Sequence, residues 1–382
     1  MAIGTTSNDS TVDISDAVLD GWQSDQIFLR YLRERRQGAP LDKHMLTENA
    51  SARVWWFTRD TAFSLNRIAQ EMPDLKLKVG FKEGHDFSAT ADLFEGHGII
   101  TFDLAVPVMI TNIFLGLLCN QNRLSGLVGG DTSDVFFQFP HGDIRPTLFN
   151  QGEVPEFISG DQLFLANVFA TTCLKFVFLH EFAHVRNGHV DLIKGVSPLA
   201  AMGETNQRPL QGITPLDRKT MEWDADRVAY ILSSDFGLNR MLGRPYPECR
   251  PDERKQAFLK LQPAYYILFR LIQEIERSTT PLELRFHPLP HDRLMFLFVK
   301  ARDVAKHMGF DVTIEEVSEC IMIGEEAWLS AFPNGEASPV IASGERPDEL
   351  TAIFLNWNEL RPRLVPLNRG STDLADPWVL DS

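Results

Sequence analysis

His180-Glu181-Phe182-Ala183-His184 places two histidines four residues apart, with a glutamate directly after the first. On an α-helix, residues four apart lie on the same face, so each imidazole can direct one nitrogen at a shared point about 2 Å away. Glu181 lies one step further around the helix, where its carboxylate can reach a water beside a metal ion but not the ion itself. The spacing therefore predicts a zinc site with Glu181 as general base.

The stretch before this motif predicts that the metal helix is buried. Residues 163–179 are mostly apolar, with Asn167 and Lys175 as interruptions. Asp161 is the expected N-cap of this helix, and Gly188 is expected to end it in the left-handed conformation. Two histidines and a carboxylate at the end of a buried helix are costly unless something binds them. That cost favours a metal site over a surface helix with two ordinary histidines.

A catalytic zinc needs a third protein ligand and an open fourth position. Glu222 follows His184 by 38 residues, in the sequence Glu222-Trp223-Asp224-Ala225-Asp226. Glu222 and Asp226 are four residues apart and share one face of a second predicted helix, which begins near Leu216. We predict that Glu222 completes the ligand set of a single Zn²⁺ ion. Asp226 is expected to accept a hydrogen bond from the outer nitrogen of a ligating histidine.

Two positions after His184 bear on which class of zinc site the sequence contains. A histidine six residues after His184 is typical of metzincins, but Val190 occupies that position, which disfavours this class. His189 lies beyond Gly188, where the metal helix is expected to have ended. We therefore interpret His189 as a structural residue or as a support for a metal ligand.

Three stretches together resemble a known group of enzymes. They are His180 to His189, Glu222 to Asp226, and His287-Pro288-Leu289-Pro290-His291-Asp292-Arg293. Their order is similar to that of the gluzincin metallopeptidases, in particular the prenyl-protease and heat-shock peptidase type, and also to the soluble bacterial phage-exclusion peptidases. The resemblance covers residues 85–300. The sequence lacks the membrane helices of the prenyl proteases, which favours the soluble relatives.

The resemblance implies roles for residues outside the first two motifs. It implies that His287 donates a hydrogen bond to the tetrahedral oxyanion, as a second catalytic residue beside Glu181. A turn-capping role for His287 is the alternative, and Tyr230 is a second candidate for the oxyanion donor. Arg293 is expected to pair with a carboxylate of the site rather than to contact substrate.

The remaining pattern predicts an α+β, zincin-like fold, mainly helical, with a small twisted sheet next to the metal helix. A strand is expected at residues 75–79, where polar and apolar residues alternate strictly, and two more are expected at 87–93 and 98–102. A helix is expected at 106–118. The strand at 87–93 is expected to form an exposed edge that holds an extended peptide by strand addition.

The chain divides into four predicted segments. Residues 1–20 are expected to be a disordered lead-in, and 21–160 to hold N-terminal helices and the sheet with its edge strand. Residues 161–310 form the metal-binding helical part. Residues 311–382 are expected to combine helix with a segment that wraps the surface.

Composition limits the partners. The net charge of −15 disfavours nucleic acid and membrane surfaces, because both are anionic. The four cysteines lie far apart and are expected to be free thiols of a reducing compartment. Residues 1–20 have neither the basic start nor the apolar core of a secretory signal. We therefore expect a cytoplasmic protein.

The sequence favours a zinc metallopeptidase, a hydrolase that cleaves peptide bonds in a peptide or protein substrate. Two alternatives remain open. The fold can serve as a metal-stabilised, non-catalytic binding module, although a structural zinc needs no general base such as Glu181. The chain can also be a defence or toxin effector that cleaves one specific host protein.

Overall fold

The computed structural model describes residues 10–72, 74–119, 148, 160–196, 202–203, 212–279, 290–332 and 348–370. These residues are mainly helical. The α-helices are α1 (Ser10–Ser24), α2 (Gln26–Arg35), α3 (Glu48–Glu71), α4 (Ala105–Cys119), α5 (Gly160–Arg186), α6 (His189–Val196), α7 (Pro215–Leu242), α8 (Pro251–Thr279), α9 (Pro290–His307), α10 (Ile314–Ala331) and α11 (Asp348–Leu364). Short 3₁₀ helices span Lys43–Met45, Tyr246–Glu248 and Val365–Leu367.

A small mixed sheet accompanies the helices. Its strands are β1 (Leu77–Lys82), β2 (Ala89–Phe94), β3 (His97–Asp103) and the two-residue β4 (Met202–Gly203), in the spatial order β1-β3-β2-β4. β1 is parallel to β3, whereas β2 is antiparallel to both β3 and β4. This arrangement confirms an α+β fold that is mainly helical, with the sheet beside the metal helix.

The hairpin between β2 and β3 follows from its sequence. Phe94 and His97 pair across it, which leaves Glu95 and Gly96 as the two turn residues. Both have positive φ, 49° and 76°. A two-residue turn with two positive φ angles matches the right-handed twist of the strands, and the glycine adopts this conformation without strain.

The prediction that the strand at 87–93 forms an exposed edge is wrong at the centre of that strand. β2 lies between β3 and β4, and its outer edge pairs at Thr90 with Gly203 and at Ala91 with Met202. β4 comes from the polar connection at 193–217, in which the sequence pattern predicts no strand. A two-residue pairing depends on tertiary contact rather than on local alternation, so the local pattern does not reveal it.

The predicted disordered lead-in is also wrong over its second half. α1 begins at Ser10, and its residue Leu19 is buried. Trp22 packs against Phe81 with ring centroids 6.4 Å apart, and the Gln23 side chain bonds to the backbone of Phe81. The many Ser, Thr and Asp residues hide the few apolar positions that face the sheet.

α3 leaves several of its large apolar side chains outside the core. Among Trp55, Trp56, Phe63, Leu65 and Ile68, only Ile68 is buried. Phe63 is 69 % exposed. The buried stripe is set instead by residues such as Val54 and Phe57, which lie roughly opposite Phe63 around the helix.

Two long helices of the C-terminal half join the core. α8 continues through Pro263. The surface-wrapping segment contains α11, whose Trp357, Leu360 and Leu364 are fully buried. The main hydrophobic cluster therefore reaches from Leu19 to Leu364, so the four predicted segments share one core.

α5 is the central element of this core. It packs along α7 and also contacts α3, α4, α8 and the sheet. By length and composition it is apolar enough to cross a membrane, but 83 % of its most apolar window is buried inside the protein. The structure is therefore compatible with a soluble protein in which α5 is the buried helix that the sequence predicts. Cys173 of α5 is buried, and Cys173, Cys249 and Cys320 are free thiols, as expected.

Gly98 sets the distance between the sheet and the metal helix. A β-carbon at Gly98 would lie 2.6 Å from Val185 Cγ1 and 2.9 Å from Leu77 Cδ2. We expect Gly98→Ala to lower the free energy of unfolding by about 1–3 kcal/mol, because the extra methyl overpacks this contact. Urea unfolding followed by circular dichroism measures the change.

Gly21→Ala is the matched control. Gly21 lies within α1, and no atom stands within 4 Å of its added β-carbon. This substitution should leave stability unchanged or raise it by up to about 1 kcal/mol, since alanine favours helix. Equal unfolding curves for Gly98→Ala and the unmodified protein would contradict the close packing of β3 on α5.

Candidate metal centre

Two rigid helices carry the predicted ligands. α5 carries His180, Glu181 and His184, and α7 carries Glu222. α7 is fixed at its start by a capping box. There the Thr214 hydroxyl accepts a hydrogen bond from the Asp217 amide, and the Asp217 carboxylate accepts one from the Thr214 amide, both at 2.9 Å. Glu222 lies about two turns inside this stabilised helix, so its position is set by helix packing.

The three ligand atoms converge on one point. His180 Nε2 lies 3.1 Å from His184 Nε2 and 3.1 Å from Glu222 Oε2, and His184 Nε2 lies 3.5 Å from Glu222 Oε1. Ligands about 2.0–2.2 Å from a tetrahedral zinc are separated by about 3.3–3.5 Å from one another. The observed separations are close to these, so the buried group of His180, His184 and Glu222 can hold a metal ion.

A chain of charged groups supports His180 from behind. Its Nδ1 lies 2.9 Å from Asp226 Oδ1, although the N–H direction falls outside hydrogen-bond geometry. Arg293 of α9 donates two hydrogen bonds to Asp226, one from Nε to Oδ2 at 2.7 Å and one from Nη2 to Oδ1 at 2.8 Å. The predicted pairing of Arg293 with a site carboxylate is confirmed, and Asp226 lies behind His180 as expected.

A second chain supports His184. Its Nδ1 lies 2.9 Å from Nδ1 of His189, and His189 Nε2 lies 3.3 Å from Asp224 Oδ2, again off the ideal N–H direction. Asn187 and Arg227 also donate hydrogen bonds to Asp224. His189 therefore contacts a predicted ligand, in agreement with its interpretation as a structural residue or a support for a metal ligand.

These outer contacts determine which nitrogens face the centre with lone pairs. The Asp226 carboxylate favours a proton on His180 Nδ1, and Asp224 favours one on His189 Nε2. The His189 Nδ1 lone pair then accepts the Nδ1 proton of His184. In the neutral rings both Nε2 atoms present lone pairs to each other at 3.1 Å. A proton or a metal cation between the two nitrogens removes this repulsion.

The pKa values of His180 and His184 show how these neighbours act on the two rings. Burial alone would lower the pKa of His180, but Asp226 and Glu222 outweigh it and raise this pKa to about 10. Burial lowers the pKa of His184 to about 4, against the opposing attraction of Glu222. Without an ion, a proton on His180 Nε2 would lie between Glu222 Oε2 and His184 Nε2, each 3.1 Å away. A divalent cation at the same point would contact all three groups at once.

The site contains one residue that the sequence reasoning missed. Asp224 is fully buried, and burial would raise its pKa, yet contacts with His189, Arg227 and Asn187 lower it to about 2. Its signal was present in the sequence, since an aspartate between Trp223 and Ala225 in a buried helix needs a partner. That partner could not be identified, because His189 reaches it only through the turn at Gly188.

Other predicted site residues are placed as follows. Glu181 is buried on α5 directly after His180, with 4 % of its surface exposed. Tyr230 donates its hydroxyl proton to Gln262 Oε1 at 2.7 Å inside the core, so the alternative that it stabilises an oxyanion is wrong. His287 lies outside the described residues, and its predicted role stays a prediction.

Comparisons with known proteins add no constraint on this site. No protein-family model, no curated protein and no solved structure matches the chain. The chemistry of the site is therefore inferred from its own residues.

Removal of Glu222 tests the ligand set. We expect Glu222→Ala to lower zinc affinity by more than about 100-fold, because loss of a ligand exceeds the 10–100-fold typical of losing an outer partner. Zinc content after dialysis, measured by atomic absorption, should fall in parallel with that of His180→Ala. Glu326→Ala, at an exposed position of α10, is the control and should keep full zinc content. Unchanged zinc in Glu222→Ala would remove Glu222 from the ligand set.

Removal of the Asp224 charge tests the support of His184. Asp224→Asn should weaken zinc binding about 10–100-fold while one ion still binds at saturation, because the ligands remain but His189 loses its anionic partner. A zinc-chelator competition titration measures the affinity. Asp303→Asn alters an exposed aspartate paired with Lys300 on α9 and should have no effect. Equal affinities in the two variants would show that the His189–Asp224 contact does not influence the ligand.

Proposed function

We propose that this chain is a zinc-dependent endopeptidase with a gluzincin-type active site on a zincin-like fold. One observation carries the proposal. His180 and His184 converge with Glu222 from a second helix, while Glu181 lies beside them on the metal helix. A purely structural zinc site has four protein ligands and no need for an adjacent carboxylate.

Zinc is the ion that the donor set favours. Two imidazole nitrogens and one carboxylate are the ligands of several zinc peptidases, which leave a fourth position for water or substrate. A Zn²⁺ ion held by two neutral imidazoles and one carboxylate has a net charge of +1 together with its ligands. Bound zinc polarises the scissile carbonyl and lowers the pKa of the attacking water.

The side chains of this protein then perform the remaining steps. Glu181 accepts a proton from the attacking water and passes it to the leaving amine. Asp226, held by Arg293, keeps the His180 nitrogen directed at the centre, and His189 does the same for His184. We further propose, from the resemblance alone, that His287 donates a hydrogen bond to the oxyanion.

The proposed substrate is a peptide or protein, and the proposed location is the cytoplasm. The net charge of −15 supports a substrate that is not strongly anionic, since like charges repel at the encounter. The free thiols of Cys173, Cys249 and Cys320 support a reducing compartment.

Glu181→Gln tests the mechanism. This variant should keep its zinc and lose peptide hydrolysis by about 100-fold to 10,000-fold, because the amide cannot accept the proton of water. Cleavage of a broad peptide library, with and without a chelator, measures the loss, and zinc content is determined on the same preparation. Glu326→Gln, at an exposed position, is the matched control and should cleave normally.

The outcomes separate the proposal from its alternatives. Persistent cleavage by Glu181→Gln would exclude Glu181 as general base. Zinc-loaded unmodified protein that cleaves no library peptide would contradict a general endopeptidase and favour the metal-stabilised binding module or the single-target effector.

A further inference from the structure

A cavity lies on the face of α5 that points away from His180 and His184. It encloses about 250 Å³ between α3, α5 and α7. α5 contributes Lys175, Leu179, Phe182 and Arg186, which are spaced by four, three and four residues and so form one stripe. At 100° per residue this stripe lies roughly opposite the face that carries His180, Glu181 and His184.

Lys175 places a buried cation in the wall of this cavity. Its side chain is 4 % exposed, and its ammonium donates hydrogen bonds to the Asp60 carbonyl and the Ser64 hydroxyl. The ammonium also lies 4.7 Å from the ring centroid of Phe236. Among the described residues no carboxylate lies within 4.0 Å of it, since Asp60 pairs its carboxylate with Arg240 at 2.6 Å. A buried ammonium without an anion is costly, and an anionic ligand group reduces that cost.

Asp235 adds an opposite charge to the lining of the cavity. It is the neighbour of Phe236 on α7 and is only partly exposed. No cation of the described part of the chain lies within ion-pair distance of its carboxylate. Burial raises the pKa of Asp235, and the more distant Arg67 and His307 oppose this effect.

The other charged groups of the cavity do not satisfy this pair. Arg67 is paired with Glu71 at 3.0 Å at the rim. Arg186 lies eleven residues beyond Lys175, about 16 Å away along the helix axis, so it belongs to the opposite end. Within the described residues neither Lys175 nor Asp235 forms an ion pair within 4.0 Å, although Asp60 attracts Lys175, and Arg67 and His307 attract Asp235, from further away.

The rest of the lining is apolar, and part of it is exposed. Leu179, Phe182 and Ile68 line the interior. Phe63 and Leu232 line it as well, although they are 69 % and 38 % exposed. Large apolar side chains exposed at the edge of a cavity are typical of ligand sites. At about 30 Å³ per water the volume corresponds to roughly eight waters, which suits a ligand of about eight to twelve non-hydrogen atoms.

We propose that this cavity binds a free amino acid with a large apolar side chain, of the size of leucine or phenylalanine. The ligand carboxylate pairs with Lys175, the ligand ammonium pairs with Asp235, and the side chain packs against Leu179 and Phe182. An apolar carboxylate without an amine leaves Asp235 unpaired, and an apolar amine without a carboxylate meets the charge of Lys175. The site is therefore selective for the zwitterion.

The test is a calorimetric titration of the full-length, zinc-loaded protein with L-phenylalanine, L-leucine, 3-phenylpropanoate and 2-phenylethylamine. We expect the two amino acids to bind with dissociation constants of about 1 mM or tighter. Each single-charge analogue should bind at least about tenfold more weakly than L-phenylalanine, because it leaves one charged group of the protein without a partner.

Two variants assign the contacts. Asp235→Asn should weaken the binding of L-phenylalanine at least about tenfold, so that L-phenylalanine no longer binds more tightly than 3-phenylpropanoate. Lys175→Met fills the same space without the charge. It should weaken the binding of L-phenylalanine, so that L-phenylalanine no longer binds more tightly than 2-phenylethylamine. Asp303→Asn is the matched control for charge removal and should bind as the unmodified protein does.

Three results would overturn the proposal. They are no binding of either amino acid up to about 10 mM, equal affinity for L-phenylalanine and 3-phenylpropanoate, and unchanged affinity in Asp235→Asn. The analogues and Asp235→Asn keep the proposal testable if Lys175→Met does not fold. Because binding is measured at equilibrium and without turnover, the result does not depend on the proposed peptidase activity.

Discussion

The packing of α5 along α7 is the constraint on which the site depends. The helices run antiparallel, since Lys175 meets Phe236 near one end of their contact and Asn187 meets Asp224 near the other. Between these ends they bring two imidazole nitrogens and a carboxylate within 3.5 Å of one another in a buried position. Groups that all offer lone pairs repel each other at this distance, so a proton or a metal cation between them stabilises this arrangement.

Charges of alternating sign extend outward from that centre. Behind His180 stand the anion Asp226 and then the cation Arg293, whose guanidinium lies 5.1 Å from the ring centroid of Phe269. Behind His184 stand His189 and the anion Asp224, which Asn187 and Arg227 contact. Asp226 and Asp224 each thus meet at least one cation, which offsets the desolvation that burial imposes on them. The outer residues hold the imidazole rings before any ion binds, so the site is preorganised by electrostatics as well as by packing.

The parts of this site that depend on local spacing could be predicted from the sequence. Two histidines four apart and two carboxylates four apart each share a helix face, and an apolar run before the first pair indicates a buried helix. The sequence also predicts that Arg293 pairs with a carboxylate of the site, although it does not identify Asp226 as that carboxylate. The contact of His189 with Asp224 could not be predicted, because it requires the left-handed turn at Gly188, with φ of 81°, to direct α6 back towards α7.

Tertiary contacts also explain the predictions that failed in the rest of the fold. The outer edge of β2 is paired by Met202 and Gly203, which come from a distant polar segment and have no strand pattern of their own. Phe63 suits a buried face by composition, but the stripe of α3 that meets the sheet is set by Phe57 against Phe81 and Phe102. Local pattern identifies which elements form, whereas the face that each element buries depends on its neighbours.

The two faces of α5 have different capacities to adjust. On the metal side His180 and His184 are held by α7 and by outer partners, and residues 165–185 of α5 are buried at nearly every position. On the cavity side the exposed side chains of the lining are Phe63 and Leu232, which belong to α3 and α7. A densely packed interior is hard to compress, whereas exposed side chains can change rotamer. We therefore expect a ligand of the cavity to displace these rim side chains rather than His180 and His184.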